Sequence, residues 1–192
     1  MRDIILASTS PFRAALMEKL GLPFRARSPE CDEQPQPDET HDPLVRRLAE
    51  TKARSVAANN PDSLIIGSDQ VAALNTHILG KPGNHARAVE QLQACSGQSV
   101  VFHTGLCLFD ARDGTAQIDN VQFTVTFRAL TTPQIERYLQ AEKPYNCAGS
   151  FKSEGRGITL FSRLSGDDPN ALVGLPLIRL CDMLMQHDIV VP

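Results

Sequence analysis

The stretch from Ile4 to Gly21 constrains the fold more than any other part of the sequence. Ile4-Ile5-Leu6-Ala7 is a short apolar run, Ser8-Thr9-Ser10 supplies capping hydroxyls, Pro11 suits a first helical position, and Ala14 to Leu20 runs to a stop at Gly21. A strand, a tight turn and a helix in that order point to an α/β fold. Leu64-Ile65-Ile66 repeats the theme as the continuous apolar run of a buried parallel strand, emptying into Gly67-Ser68-Asp69-Gln70.

Between these strands the chain changes character. From Arg25 to His41 it is rich in Pro and acidic residues, a composition that predicts an extended loop, and a loop of that length in a compact domain is commonly functional. Asp42-Pro43 predicts a capped helix start, after which Leu44, Val45, Leu48, Lys52 and Val56 share one face until Asn59-Asn60-Pro61 ends it. Asn84 to Cys95 is expected as a helix closed by Gly97. Ser99 to Phe109 reads as a strand turning at Asp110, Asp113 and Gly114. The return strand alternates, with Val121, Phe123, Val125 and Phe127 on one face and Gln122, Thr124, Thr126 and Arg128 on the other, so the sheet is expected to be mixed. A helix from Thr132-Pro133 through Leu139, a polar loop over 148–157, a strand over Ile158–Phe161 and a last helix striped by Leu177, Leu180, Cys181, Leu184 and Met185 complete the reading.

Composition narrows the function. The 192 residues suit roughly one domain with room for two lobes on a shared sheet, and the apolar fraction of 42% provides a core. Nineteen Lys and Arg against 22 Asp and Glu leave a net charge of -3, which disfavours binding to nucleic acid polymers or membranes. An aromatic content of 5% offers few stacking platforms for single strands. No apolar run reaches the ~18 residues of a membrane span. Five scattered cysteines, without C-x-x-C or zinc-ligand spacing, suit reduced thiols in the cytoplasm.

Several residues carry possible chemistry. Ser8, Ser10 and Arg13 bracket a helix N-terminus, where free N–H groups, hydroxyls and a guanidinium make a phosphate cradle, or simply a capped helix with a surface arginine. Lys52 interrupts an apolar stripe, so its ammonium either snorkels to solvent or reaches an anion. Asp69 follows a strand, where α/β sheets bind ligands, and turn aspartates stand there too. Gly80-Lys81-Pro82 lacks the Ser or Thr of a P-loop and has Asn75 where its first glycine belongs, so a Walker motif is excluded. Lys81 remains either a phosphate ligand or a solvated turn lysine. Glu33 lies in the acidic loop and could share a hard divalent cation with Asp69 and phosphate oxygens. Cys147 has no sequence-level base to activate it, and His103, within a strand, reads as a packed residue.

Taken in order, Ser8-x-Ser10-x-x-Arg13, Asp32-Glu33, Lys52, Gly67-Ser68-Asp69-Gln70, Gly80-Lys81-Pro82, Gly149-Ser150-Phe151-Lys152-Ser153-Glu154-Gly155 and Asp168-Pro169-Asn170 through Gly174-Leu175-Pro176 resemble the Maf family of nucleotide pyrophosphatases over nearly the whole chain. The resemblance implies a single domain over 1–192, an elongated mixed sheet flanked by helices like that of inosine-triphosphate pyrophosphatases, and two lobes with a central cleft. It implies cleavage of a nucleoside triphosphate to monophosphate and pyrophosphate, a divalent metal such as Mg2+ or Mn2+, and a homodimer. By the same resemblance Asp69 is the proton acceptor, Glu33 and Asp69 hold the metal, and Ser8, Ser10, Arg13, Lys52 and Lys81 bind the triphosphate. Phe12, Gln70 and Glu154 stand where many relatives acting on dTTP and UTP have Arg, Thr and Gln, and this combination resembles the branch acting on 7-methyl-GTP. A cationic methylated base suits an aromatic face at Phe12 and a carboxylate at Glu154. The alternatives are the pyrimidine branch and a nucleotide-binding regulator, since members of the family have been linked to cell division.

Overall fold

A computed structural model describes residues 2–191. Its elements run β1 (Ile4–Ala7), α1 (Pro11–Glu18), β2 (Arg25–Arg27), α2 (His41–Ser55), β3 (Leu64–Leu74), β4 (His77–Leu79), α3 (His85–Cys95), β5 (Ser99–Asp110), β6 (Ala116–Phe127), α4 (Thr132–Glu142), β7 (Phe161–Ser165), α5 (Pro169–Val173) and α6 (Leu177–Met185). The strands form one seven-stranded sheet in the order β2-β1-β3-β5-β6-β7, with β4 paired to β3. Parallel pairing of β1 with β2 and β3, beside antiparallel pairing of β4 with β3 and of β7 with β6, makes the sheet mixed, as the alternating return strand predicted.

The chain divides into two compact units. The first holds Met1–Gln70, His103–Val121 and Asp168–Pro192, and the second Val71–Phe102 and Gln122–Asp167. In the first unit the sheet is covered on both faces, which is why its parallel strands read as unbroken apolar runs. Ile4, Leu6, Leu64 and Ile66 pack with Leu16 and Met17 of α1 and Leu177, Leu180 and Leu184 of α6. Ile5, Ala7 and Ile65 face the other way, onto Ala49 and Ala53 of α2 and Val56 beyond it. In the second unit Phe102, Phe127, Phe151 and Phe161 meet edge-on with centroids 4.9–5.7 Å apart, a favoured aromatic geometry.

Some expectations are corrected. Arg25–Arg27 is an edge strand beside β1, so the loop begins after it. The cap position of α2 is Thr40; Asp42 lies in the first turn, where its carboxylate accepts from Arg46 and Asn120. That helix ends at Ser55, and a 3-10 turn over Ala57–Asn59 follows it. The segment expected as a strand over Ile158–Phe161 is a 3-10 turn over Arg156–Leu160 leading into β7. Its apolar residues do not all point inward: Leu160 is buried and Ile158 exposed. The run Gly67-Ser68-Asp69-Gln70, whose composition suggests a turn, is continuous strand within β3. What ends there is β1, whose last residue, Ala7, pairs with Gly67, so Asp69 still stands beyond the carboxyl end of a parallel strand.

Candidate active site

Helix α2 and strand β3 create the central feature of the first unit. A side chain at Gly67 would put its Cβ 2.0 Å from Ala49 O and 2.9 Å from Ala53 N, and one at Gly105 of β5 would meet Val45 O at 2.0 Å. Only glycine lets the helix backbone lie directly on the sheet at these two points. Asp69 shares the face of Gly67, two residues along, and Lys52 lies between Ala49 and Ala53. The result is a buried ion pair with Lys52 Nζ 2.6 Å from Asp69 Oδ1. The lysine is 5% exposed and the aspartate 8%. Glu33, on the acidic loop, brings Oε1 to 2.9 Å from the same Nζ. Burying an ammonium costs several kcal/mol unless anions surround it, and here two carboxylates do.

The loop carrying Glu33 is held down on α2. Arg47 donates from Nε and Nη2 to the two oxygens of Glu39, at 2.6 and 2.7 Å, and from Nη2 to Gln34 O at 3.1 Å. The guanidinium hydrogen bonds hold the Glu39 carboxyl down at about 2. Cys31 lies beside the cluster: burial raises its thiol pKa, and Lys52 opposes that shift.

Helix α1 adds the second part. Ser10 caps it, accepting from Arg13 N at 3.4 Å, and the buried Ser8 accepts from Ser10 N at 3.1 Å. Burial draws the Arg13 guanidinium below its ordinary pKa while Asp69 and Glu33 pull it back up, so these three charges share one neighbourhood. Arg13 Nε donates to Gly174 O at 2.8 Å, and the fully buried Ser68 hydroxyl, with one proton to give, lies 2.9 Å from Gly174 O and 2.8 Å from Gly105 O. Gln70 commits its amide nitrogen to Ala171 O, Leu172 O and Thr104 Oγ1 at 2.7, 3.2 and 3.0 Å, which leaves its carbonyl oxygen for other contacts. Asp168 fixes this supporting segment, accepting from Asn170 N and Ile178 N, each at 2.8 Å. Phe12 projects from the first turn of α1 and is 44% exposed.

Lys81 and Glu154 belong to the second unit. Lys81 is exposed after β4, and Glu154 is exposed on the loop after Phe151, where its carboxylate accepts from Ser153 Oγ at 3.1 Å. Glu142 of α4 anchors that loop, accepting from Arg156 N at 3.1 Å and facing Lys152 Nζ at 3.7 Å. Burial raises the pKa of Cys147, and Lys152, Glu154, Lys81 and Glu142 all act on it electrostatically.

The structure therefore gathers Arg13, Glu33, Lys52 and Asp69 in the first unit, with Ser8 and Ser10 at the α1 terminus, and Lys81 with Glu154 in the second. Sequence reading gave no role to Gly67, Gly105, Ser68, Cys31, Arg47 or Glu142. Arg47 gives no signal in the sequence of α2, and Gly67 was legible only as a turn former. His103 lies with its ring 5.3 Å from that of His41, and Asn120 bonds its Nδ1 at 3.2 Å, a packed residue as expected. Among the described residues no group of three or more His, Cys, Asp or Glu is arranged to hold a metal alone. Two hard carboxylates nevertheless suit Mg2+ or Mn2+, which characteristically takes one or two such ligands and completes its shell with water and phosphate oxygens. A cavity of about 740 Å3 is lined by Arg2, Asp62, Ser63, Arg112, His187 and Ile189 among others, and by none of the expected site residues.

A mixed α/β sheet with a capped helix N-terminus, a buried lysine between two carboxylates and an arginine beside them defines an α/β protein with a clustered ionic site in its first unit. The chain belongs to the Maf-like protein family, whose pattern matches residues 3–187. It is similar to a 7-methyl-GTP pyrophosphatase of Nitrosococcus oceani, at 58% identity over 183 residues, 95% of this chain and 92% of that one. A 7-methyl-GTP pyrophosphatase of Pseudomonas savastanoi pv. phaseolicola is 54% identical over all 192 residues, 100% of both chains. One of Vibrio vulnificus is 55% identical over 185 residues, 96% of this chain and 95% of that one. Among the described residues no helix is long and apolar enough to cross a membrane.

Proposed function

We propose that the chain hydrolyses 7-methyl-GTP to 7-methyl-GMP and pyrophosphate, removing a modified nucleotide from the pool. The observation that carries this is the Glu33–Lys52–Asp69 cluster beside Arg13, in a chain whose full-length relatives bear that activity in their names. Water adds to the α phosphorus, the bond from that phosphorus to the bridging oxygen breaks, and pyrophosphate leaves. Asp69 takes the proton of the attacking water, using the oxygen that Lys52 does not occupy. Ser8, Ser10, the N–H groups opening α1, Arg13, Lys52 and Lys81 bind the triphosphate and stabilise charge that grows on it. Glu33 and Asp69 would hold a divalent cation, which would supply further neutralisation of the phosphate charge. Phe12, Gln70 and Glu154 select the base: the ring face and the carboxylate favour a cationic methylated guanine.

The reading includes a cytoplasmic setting, supported by five free thiols, and a homodimer, for which light scattering of the purified protein is the direct test. The activity is tested by incubating the protein with Mg2+ or Mn2+ and 7-methyl-GTP, GTP, dTTP, UTP or ITP and resolving the products. Monophosphate and pyrophosphate from 7-methyl-GTP above the rest is the expected result. Preference for dTTP or UTP would keep the reaction and overturn the assignment of the base-selecting residues. Diphosphate and phosphate would overturn the reaction itself.

A further inference from the structure

Gln91 of α3 uses both ends of its amide. Nε2 donates to Gly80 O at 3.1 Å, and Oε1 accepts from Ser150 Oγ. Gly80 immediately precedes Lys81, and Ser150 opens the run Phe151-Lys152-Ser153-Glu154. Ser150 is fully buried, with a left-handed φ of 62° directly after Gly149 at 72°, so the start of the Glu154 loop is tightly bent and has its hydroxyl turned onto one partner. One neutral side chain thus ties the loop presenting Lys81 to the loop presenting Glu154. An amide is suited to this because it places a donor and an acceptor on one planar group, whereas a carboxylate would face the Gly80 carbonyl with no proton to give.

The far end of the Lys81 loop is tied as well. Gly83 N donates to Tyr145 O at 2.9 Å, the Tyr145 hydroxyl is 3.0 Å from His85 Nδ1, and His85 Nε2 is 2.9 Å from Glu136 Oε2. With both ends of the loop held, the position of Lys81 relative to Glu154 depends on Gln91. We infer that Gln91 is a positioning residue that sets the Lys81 loop against the Glu154 loop, coupling the grip on the triphosphate to selection of the base. The inference rests on the roles proposed above for Lys81 and Glu154.

Two single changes separate the halves of the tie. Ser150→Ala releases the Glu154 loop alone, and Gln91→Glu keeps an acceptor for Ser150 while repelling Gly80 O; Gln91→Ala removes both contacts. The purified variants are assayed with 7-methyl-GTP and GTP, KM and kcat are separated, and thermal melts are recorded. Ser150→Ala should lower the 7-methyl-GTP to GTP ratio of kcat/KM about three- to tenfold, the scale of one hydrogen bond. Gln91→Glu should raise KM for both nucleotides by a similar factor and leave the ratio unchanged. The Gln91→Ala and Ser150→Ala pair should be non-additive in the ratio, as residues in contact are. Lower melting temperatures with ratio and KM unmoved overturn the inference alone, provided Lys81→Ala raises KM and Glu154→Gln erodes the ratio. If those two variants are themselves silent, the roles of Lys81 and Glu154 fall and the inference falls with them.

Discussion

Lys52 is held by two anions of unequal burial, and that inequality accords with the different tasks proposed for them. Asp69 is buried at 2.6 Å from the ammonium, whereas the Glu33 side chain is 60% exposed at 2.9 Å and can turn toward an incoming cation. If Asp69 is the base as proposed, Asp69→Asn keeps the shape and removes it, so kcat should fall by about 10^2 to 10^4, the range typical of a lost general base, with the circular dichroism spectrum unchanged. A kcat within threefold of the parent would remove Asp69 from the proton-transfer role. At this scale the sequence was legible where a residue type contradicted its surroundings. A lysine in the stripe Leu44, Val45, Leu48, Val56 is such a contradiction, and the serine-rich start of α1 is a local signal that needs no tertiary partner. Ser68 and Gly67 gave no such signal because small polar and glycine residues also make turns, and their partners lie far along the chain, in Gly105, Gly174 and Ala49.

Helix α2 is the element on which the site is built, since it carries Lys52 and Arg47 and rests on two glycines. Gly67→Ala would force Ala49 O away from a contact of 2.0 Å and shift the helix. Overpacking of this kind costs about 1–3 kcal/mol or more, which for a domain of this size lowers the melting temperature by about 2–4 °C per kcal/mol. The same variant should lose turnover beyond its loss of stability, because Lys52 moves with the helix; an unchanged kcat well below the melting point would argue against that link. The loop before α2 has its own signature. Glu39, bonded by Arg47, is held at about 2 against an ordinary 4.5, and Asp110, bonded by Arg2, at about 2 against 3.8. Depressed carboxyls stabilise the fold fully above their unfolded values and lose that contribution as pH falls toward 2. Melting temperature should therefore decline from about pH 5 downward, and Glu39→Gln with Asp110→Asn should flatten that decline while lowering stability at neutral pH. Element boundaries were legible where caps were local, as at Asn84 of α3, and illegible where tertiary burial carried a strand through turn-like residues, as in β3.

Across the molecule, each compact unit is assembled from segments that are distant in sequence, and the expected site residues are divided between them, with Asp69 and Gln70 in the first and Lys81 and Glu154 in the second. No single window of sequence reveals that grouping, because each unit joins segments that are far apart along the chain. If Glu33 and Asp69 hold a divalent cation with the phosphates, chelation should abolish turnover and added Mn2+ or Mg2+ should restore it, whereas full activity in excess chelator would exclude a metal requirement. The buried arrangement of the first unit has a further consequence for how nucleotide arrives. Arg13 and Lys52 cancel Glu33 and Asp69 in formal charge, and the chain as a whole carries -3. With no divalent cation bound, that balance gives a polyanion little net attraction over distances beyond the Debye length of about 8–10 Å at ordinary salt. In the metal-free protein nucleotide should therefore be captured by short-range contact after unaided diffusion, and its association rate should hold steady or rise slightly as salt is added.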